Sequence, residues 1–171
     1  MSMPVYPPLY WTPHVLDRGL LISLAGAAAD RHGIGRPLVC GVCEEESGKR
    51  NAYISGGVED WDYTAIRFEP AFETRYIHPA LPDKPTTEEL TKAMSFGLMQ
   101  IMGEVAREMG YAGRFLTGLC DPDCGLEFGC RKLKKCLDGM NGDPTSALLR
   151  WNGGADLKYP VRVIARMSKY S

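Results

Sequence analysis

The chain has 171 residues, of which 44% are hydrophobic and 24% are charged, and its formal net charge is −1. This composition is typical of a folded globular protein of one domain and excludes an intrinsically disordered chain. Because the net charge is close to zero, no general electrostatic attraction to nucleic acid or to an anionic membrane is expected. No run of apolar residues has the length needed to span a bilayer.

The first residues predict an extended arm rather than an export signal. Prolines recur between residues 4 and 13, and neither a basic start nor a continuous apolar segment is present. We therefore divide the chain into an arm over residues 1–13 and a domain over residues 14–171.

Helical periodicity and capping signals predict a mainly helical domain. Apolar residues recur at helical spacing in the first helix, Pro37 can open the second, and Asp143 can cap one near the C-terminus. Between the helices, Gly56-Gly57 and scattered polar residues predict a loop. The predicted helices cover residues 14–31, 37–49, 63–76 (interrupted or started near residue 70), 87–94, 95–110 or 95–113, 124–140, 144–151 and 159–166.

The six cysteines do not form a recognisable metal-binding pattern. Cys40 and Cys43 have zinc or redox spacing, but no second pair of this kind follows and no histidine lies near. Cys130 shares a helical stripe with Leu126 and Leu133, which favours core thiols. A disulfide is the second alternative and a metal site the third, and we predict no metal and no cofactor. The full set is Cys40, Cys43, Cys120, Cys124, Cys130 and Cys136.

Four short motifs follow one another along the chain. Glu46-Ser47 ends the second predicted helix, Gly97-Leu98-Met99-Gln100 lies at the centre, and Trp151-Asn152-Gly153-Gly154 precedes Tyr159. In this order the motifs resemble the soluble lytic transglycosylase domain, a lysozyme-like family that cleaves the glycan strands of bacterial peptidoglycan. The resemblance covers about residues 38–167, with a non-matching stretch between 50 and 94. It implies a mainly α, lysozyme-like α+β fold with a small β-hairpin at about residues 52–62.

The resemblance also implies a reaction. The family cleaves the β-1,4 bond between N-acetylmuramic acid and N-acetylglucosamine and forms a 1,6-anhydro product. Such cleavage needs a carboxylic acid whose pKa is raised by burial among apolar groups. Glu46 lies beside the inward face of its helix, whereas Glu44 and Glu45 point in other directions and are expected to face water. The glutamate run alone favours a solvated helix end, but the resemblance identifies Glu46 as the catalytic acid and base.

The other motif residues are assigned to the substrate by the same resemblance. It implies that Met99 forms a wall of the cleft, that Gln100 binds a sugar or its N-acetyl group, and that Asn152 and Tyr159 position the substrate. Trp151 stands where the family has a tyrosine; because an indole donates but does not accept hydrogen bonds, it either stacks on a sugar or packs. The alternative for each is a structural role in the core. The predicted substrate-binding residues are Ser47, Met99, Gln100, Trp151, Asn152 and Tyr159.

A second carboxylate would change the reaction. Hydrolysis with inversion needs a carboxylate that activates water across the sugar from the acid, and the candidates are Glu69, Asp60 and Asp62. For Glu69, a structural salt bridge to an arginine is an equal alternative. A hydrolytic muramidase and a catalytically silent glycan-binding module therefore remain alternatives to the transglycosylase.

The partner and place of action follow from the resemblance as well. We expect a monomer that binds peptidoglycan strands, binds no nucleic acid and acts at the bacterial cell wall or in the periplasm. Because the first residues provide no export signal, release requires lysis, a dedicated secretion route or a leader that has been trimmed. A phage endolysin or virion-associated enzyme fits the first of these.

Overall fold

The computed structural model describes residues 16–48, 61–80 and 86–171. The helices in these ranges are α1 (Arg18–Arg31), α2 (Arg36–Ser47), α3 (Pro70–Phe72), α4 (Thr87–Thr91), α5 (Gly103–Glu108), α6 (Pro122–Asp138), α7 (Pro144–Trp151) and α8 (Tyr159–Met167). The strands are β1 (Ile66–Phe68), β2 (Met94–Phe96) and β3 (Ile101–Met102). A π-helical turn, Glu73–Ile77, continues α3. The predicted mainly helical fold with a small β element is confirmed, while the predicted arm and most of the predicted hairpin at 52–62 lie outside the described residues.

Local capping signals set the helix ends in the C-terminal half. Asp121 accepts a hydrogen bond from the backbone N–H of Cys124 at 3.0 Å, and Asp143 accepts one from the N–H of Ser146 at 2.9 Å. In both helices a proline follows the cap, where its missing N–H costs nothing. These helices therefore begin within two residues of where the sequence predicts them.

The main hydrophobic core surrounds α2. This helix packs against α1 on one side and α8 on the other, and α6 packs against α1 and α7. Val39, Val42, Leu126 and Leu133 are fully buried in this core. None of the helices in the described ranges is long and apolar enough to cross a membrane.

The cysteines are all free thiols, as the first interpretation predicts. Cys40, Cys43 and Cys130 lie in the main core, whereas Cys120 and Cys124 are half-buried. Burial raises the pKa of Cys130 to about 12, so this thiol is uncharged and unreactive near neutral pH.

The predicted helix beginning at Ser95 is wrong. Strands β2 and β3 occupy its first part and, with β1, form an antiparallel sheet in the order β1-β2-β3. The turn between them holds Gly97 at φ 67° and Gln100 at φ 46°, both in the left-handed region that a helix cannot contain. Gly97 is required there because a Cβ would lie 2.5 Å from the carbonyl oxygen of Leu119. In the segment 63–76, β1 replaces the first part of the predicted helix, because short apolar runs fit either structure, and α3 begins at Pro70, as the alternative start predicts.

A second, smaller core lies beneath the sheet. Its buried members are Phe96, Ile101, Ala106, Tyr111, Leu116 and Leu119. The sheet thus rests on its own apolar cluster, opposite the helices that surround α2. A groove runs where these two parts of the molecule face each other.

The glutamates before Glu46 do not face water, contrary to the sequence-based expectation. Glu45 is only 3% exposed, and its carboxylate oxygens lie 2.7 Å from Arg162 Nε and 2.8 Å from Arg166 Nη2. Glu44 is paired with Lys169 near the C-terminus. Both arginines lie on α8, one turn apart, so their side chains meet α2 along the same line.

Glu45→Gln is expected to lower the free energy of unfolding by about 2 kcal/mol, because it removes the buried carboxylate that both arginines share and leaves them, within the described residues, only Asp156 and Glu44. The value is below that of a fully buried pair because both arginine side chains are 28% exposed. Urea unfolding followed by circular dichroism measures the change. Glu108→Gln, at an exposed position with no ion pair within the described residues, should change the stability by less than about 0.5 kcal/mol. Equal stabilities of the two variants would contradict the structural role of Glu45.

Candidate active site

A groove with a volume of about 520 Å³ lies between the helices and the sheet. Glu46 from α2 and Trp151 from α7 line one side, and Arg67 from β1 and Gln100 from the β2–β3 turn line the other. Its lining combines charged, polar and aromatic side chains.

Glu46 is held at the edge of the groove by two donors on one oxygen. Its Oε1 accepts a hydrogen bond from the Tyr159 hydroxyl at 2.7 Å and one from Trp151 Nε1 at 3.3 Å. Its Oε2 lies 3.6 Å from Arg67 Nη2. The side chain is 16% exposed. The first turn of α8 and the last turn of α7 therefore fix the carboxyl group that ends α2.

Burial raises the pKa of Glu46 above its usual range. The hydrogen bonds from Tyr159 and Trp151 and the positive charge of Arg67 act in the opposite direction without cancelling the effect of burial. Burial and the neighbouring Glu46 also raise the pKa of Tyr159, so this residue remains a neutral hydroxyl donor. Glu46 can therefore keep a proton to a higher pH than an exposed glutamate.

The two donors also decide which oxygen carries that proton. Because Oε1 already accepts two hydrogen bonds, the proton of neutral Glu46 belongs on Oε2. This is the oxygen next to Arg67. In the neutral form of Glu46 the proton is therefore directed away from Tyr159.

Arg67 is the site residue to which sequence reasoning gave no role. The β1–β2 register sets Arg67 opposite Ser95. Arg67 Nε donates to Gln100 Oε1 at 2.9 Å and lies 3.7 Å from Glu69 Oε1. The single hydroxyl proton of Ser95 is within hydrogen-bond distance of both Gln100 Oε1 (2.9 Å) and Glu69 Oε1 (3.1 Å). These three side chains fix the guanidinium beside Glu46.

The two-residue periodicity of a strand was the sequence signal that could have predicted the contact between Arg67 and Glu69. In a strand, residues two apart lie on one face, so an extended Arg67-Phe68-Glu69 would have put the arginine and the glutamate side by side. The same residues in a helix point in different directions. Because a helix was predicted for this segment, the contact between Arg67 and Glu69 was not predicted.

Most of the hydrogen-bonding capacity of Gln100 is used within the protein. Its amide nitrogen donates to the carbonyl oxygens of Ala65 (3.0 Å) and Gly97 (2.9 Å), and its amide oxygen accepts from Arg67. Both N–H groups and one lone pair are thus used, and the second lone pair competes with Glu69 for the single proton of Ser95. This geometry does not support the predicted sugar contact and indicates a positioning role.

Ser47 and Met99 lie behind the groove rather than on its surface. Ser47 is 2% exposed, and its hydroxyl donates to the carbonyl oxygen of Cys43 at 2.8 Å within α2. Met99 is fully buried and packs so closely on α6 that a Cβ at Gly129 would lie 2.4 Å from its sulfur atom. Both residues support the site from the core.

Asn152 lines the groove and closes the loop after α7. Its amide nitrogen donates to the carbonyl oxygen of Asp156 at 2.8 Å, and its amide oxygen accepts from the N–H of Gly154 at 2.9 Å. One N–H group and one lone pair remain for a ligand.

The candidates for a second carboxylate differ in position. Glu69 lines the groove, with its side chain 38% exposed. Asp62 does not line this groove; it accepts hydrogen bonds from the backbone N–H and the hydroxyl of Thr64, at 2.9 and 2.7 Å. Asp60 lies outside the described residues.

Comparison with known proteins identifies a family for this chain. One family model, the transglycosylase SLT domain, matches residues 23–159, which include the Glu46 end of α2, the β2–β3 turn and Tyr159. No curated protein and no solved structure matches the chain. The match covers most of the sequence and confirms the predicted resemblance and the lysozyme-like fold class. The chain therefore belongs to the transglycosylase SLT domain family, a lysozyme-like family of glycosidases and transglycosylases that act on the peptidoglycan of the cell wall.

Proposed function

We propose that this protein is a lytic transglycosylase that cleaves the β-1,4 bond between N-acetylmuramic acid and N-acetylglucosamine, with Glu46 as both acid and base. The observation that carries the proposal is one buried carboxyl group in the groove, held on Oε1 by Tyr159 and Trp151 and presenting Oε2 toward Arg67. A raised pKa fits a group that must donate a proton near neutral pH.

The first step transfers the Oε2 proton of Glu46 to the glycosidic oxygen. The bond between that oxygen and C1 of the muramic acid breaks, and the N-acetyl carbonyl of the same sugar stabilises the positive charge that develops at C1. The new carboxylate is stabilised by Arg67, 3.6 Å away, and by the hydrogen bond from Tyr159.

The second step returns the proton. The Glu46 carboxylate takes the proton of the C6 hydroxyl, whose oxygen bonds to C1 and closes the 1,6-anhydro ring. No water is consumed, and Glu46 is protonated again for the next cycle.

The surrounding residues keep this carboxyl group in place. Gln100 and Ser95 fix Arg67, and Met99 supports the turn that carries Gln100. Ser47 ties the end of α2 to the turn before it. Asn152 lines the groove and has one N–H group and one lone pair free to bind the substrate.

Glu69 supports a second candidate function, a hydrolytic muramidase. Its carboxylate lines the same groove as Glu46 and reaches the same arginine, so it could activate a water molecule across the sugar. Its contacts with Ser95 and Arg67 equally fit a structural role, which is the reason we favour the transglycosylase.

Mass spectrometry of digested sacculi distinguishes the two reactions. We expect products that end in 1,6-anhydro-muramic acid, with the same ends from the Glu69→Gln variant, because the transglycosylase needs no second carboxylate. Reducing ends, lost in Glu69→Gln, would establish the muramidase instead. Absence of any cleavage by wild-type protein would contradict both reactions and support a catalytically silent glycan-binding module.

A further inference from the structure

We propose that one end of the groove, formed by Arg75, Lys132 and Arg150, is a subsite for the free carboxylates of the peptide stem on the glycan strand. This cationic end, as we call these three residues, deepens the proposed function and rests on it. Arg75 comes from the turn after α3, Lys132 from α6 and Arg150 from α7, and all three line the same groove as Glu46.

The cationic end has no ion pair within the described part of the chain. Within residues 16–48, 61–80 and 86–171, no carboxylate lies within 4 Å of any of the three side chains. The acidic side chains that line the groove, Glu46 and Glu69, are both turned to Arg67 instead. The groove therefore carries excess positive charge although the whole chain has a net charge of −1.

Lys132 lies on α6, and Arg150 contacts the C-terminal end of the same helix. Arg150 reaches across from α7 over Gly139, where a Cβ would lie 2.7 Å from Nη1. The missing side chain at Gly139 thus leaves room for the guanidinium, and both residues line the groove.

Aromatic side chains complete this end of the groove. The rings of Phe72 and Tyr76 are 4.9 Å apart, and the Arg75 guanidinium lies 5.2 Å from the centre of the Tyr76 ring. Tyr76 is 56% exposed although it is a large aromatic residue. An exposed aromatic surface beside unpaired cations suits a ligand that has both apolar faces and negative charges.

The substrate chemistry supplies such a ligand. In an intact strand the muramic acid carboxyl group is in amide linkage, so the sugar backbone is neutral and the negative charges are on the stem. Arginine binds a carboxylate through two parallel N–H groups, and lysine adds a point charge. The cationic end would therefore favour strands whose stems keep free carboxylates over the same strands with those carboxylates converted to amides.

Two forms of one substrate test this. Uncross-linked strands with acetylated amines are compared before and after amidation of their stem carboxylates with carbodiimide and ammonia. We expect wild-type protein to prefer the free-carboxylate form by about tenfold in kcat/KM, and the ratio to fall toward one in the Lys132→Gln/Arg150→Gln variant. Lys132→Arg should keep the ratio, as should Lys135→Gln, an exposed lysine of α6 outside the groove.

Binding of the free stem tetrapeptide, measured by calorimetry, provides a readout without cleavage. We expect wild-type protein to bind it about tenfold more tightly than the amidated tetrapeptide. Equal binding of the two peptides, or a wild-type cleavage ratio near one, would overturn the subsite while leaving the proposed function intact. Specific peptide binding without cleavage of either strand would overturn the transglycosylase assignment and retain the subsite.

Discussion

Glu46→Gln is expected to lower the rate of peptidoglycan cleavage by about 10²- to 10⁴-fold, the range for loss of a general acid and base. The amide oxygen can still accept the hydrogen bonds from Tyr159 and Trp151, so the fold and the groove should be preserved. Turbidity clearing of sacculi and quantification of released muropeptides measure the loss. Clearing at the wild-type rate would refute the assignment of Glu46.

The same variant should be more stable than wild type near neutral pH. Since burial raises the pKa of Glu46 in the folded state, the folded protein binds this proton more tightly than the unfolded chain. The resulting stabilisation of wild type is full below the unfolded pKa and is lost as the pH rises through the folded pKa. The advantage of Glu46→Gln in Tm should therefore be larger at about pH 7 than at about pH 3.5.

Arg67→Gln is expected to lower kcat by about 10²-fold, because Arg67 stabilises the carboxylate that forms when Glu46 gives up its proton. Its positive charge lowers the pKa of Glu46, so removing it raises that pKa further. The alkaline limb of the pH profile of kcat/KM should accordingly move to higher pH. A pH series from about 4 to 9 on the same muropeptide substrate measures both effects.

Two further variants test whether the charge of Arg67 or its hydrogen bond to Gln100 causes the effect, and whether the effect is specific to the groove. Arg67→Lys keeps the charge but loses the hydrogen bond from Nε to Gln100, so it should lower kcat while moving the alkaline limb less. Arg114→Gln, at an exposed position outside the groove, should behave as wild type. An unchanged alkaline limb in Arg67→Gln would mean that Arg67 does not act on the proton of Glu46.

Prediction from the sequence succeeded where the information is local. The N-terminal caps Asp121 and Asp143 act within three residues, and each is followed by a proline that only the start of a helix accommodates well. The family motifs likewise pointed to Glu46 and Tyr159, whose side chains are hydrogen-bonded across 113 residues of sequence.

Prediction failed where a segment had no local preference. The run from Ser95 to Met102 is apolar enough for a helix or a strand, and it becomes a hairpin because Gly97 and Gln100 take left-handed conformations against neighbouring backbone. The side-chain hydrogen bonds of Gln100 offset the strain of its positive φ, and three of their partners come from β1, β2 and the residue before β1.

The sequence by itself determined the family and the main helices, and it singled out Glu46 and Tyr159. Only the tertiary structure decided what surrounds the Glu46 carboxyl group, because each contact depends on elements distant in the chain. The charge of Glu45 is compensated by arginines of α8 instead of being solvated by water. Arg67 reaches Glu46 only when β1 pairs with β2. A carboxyl pKa is set by the groups within a few ångströms, and folding alone brings those groups together.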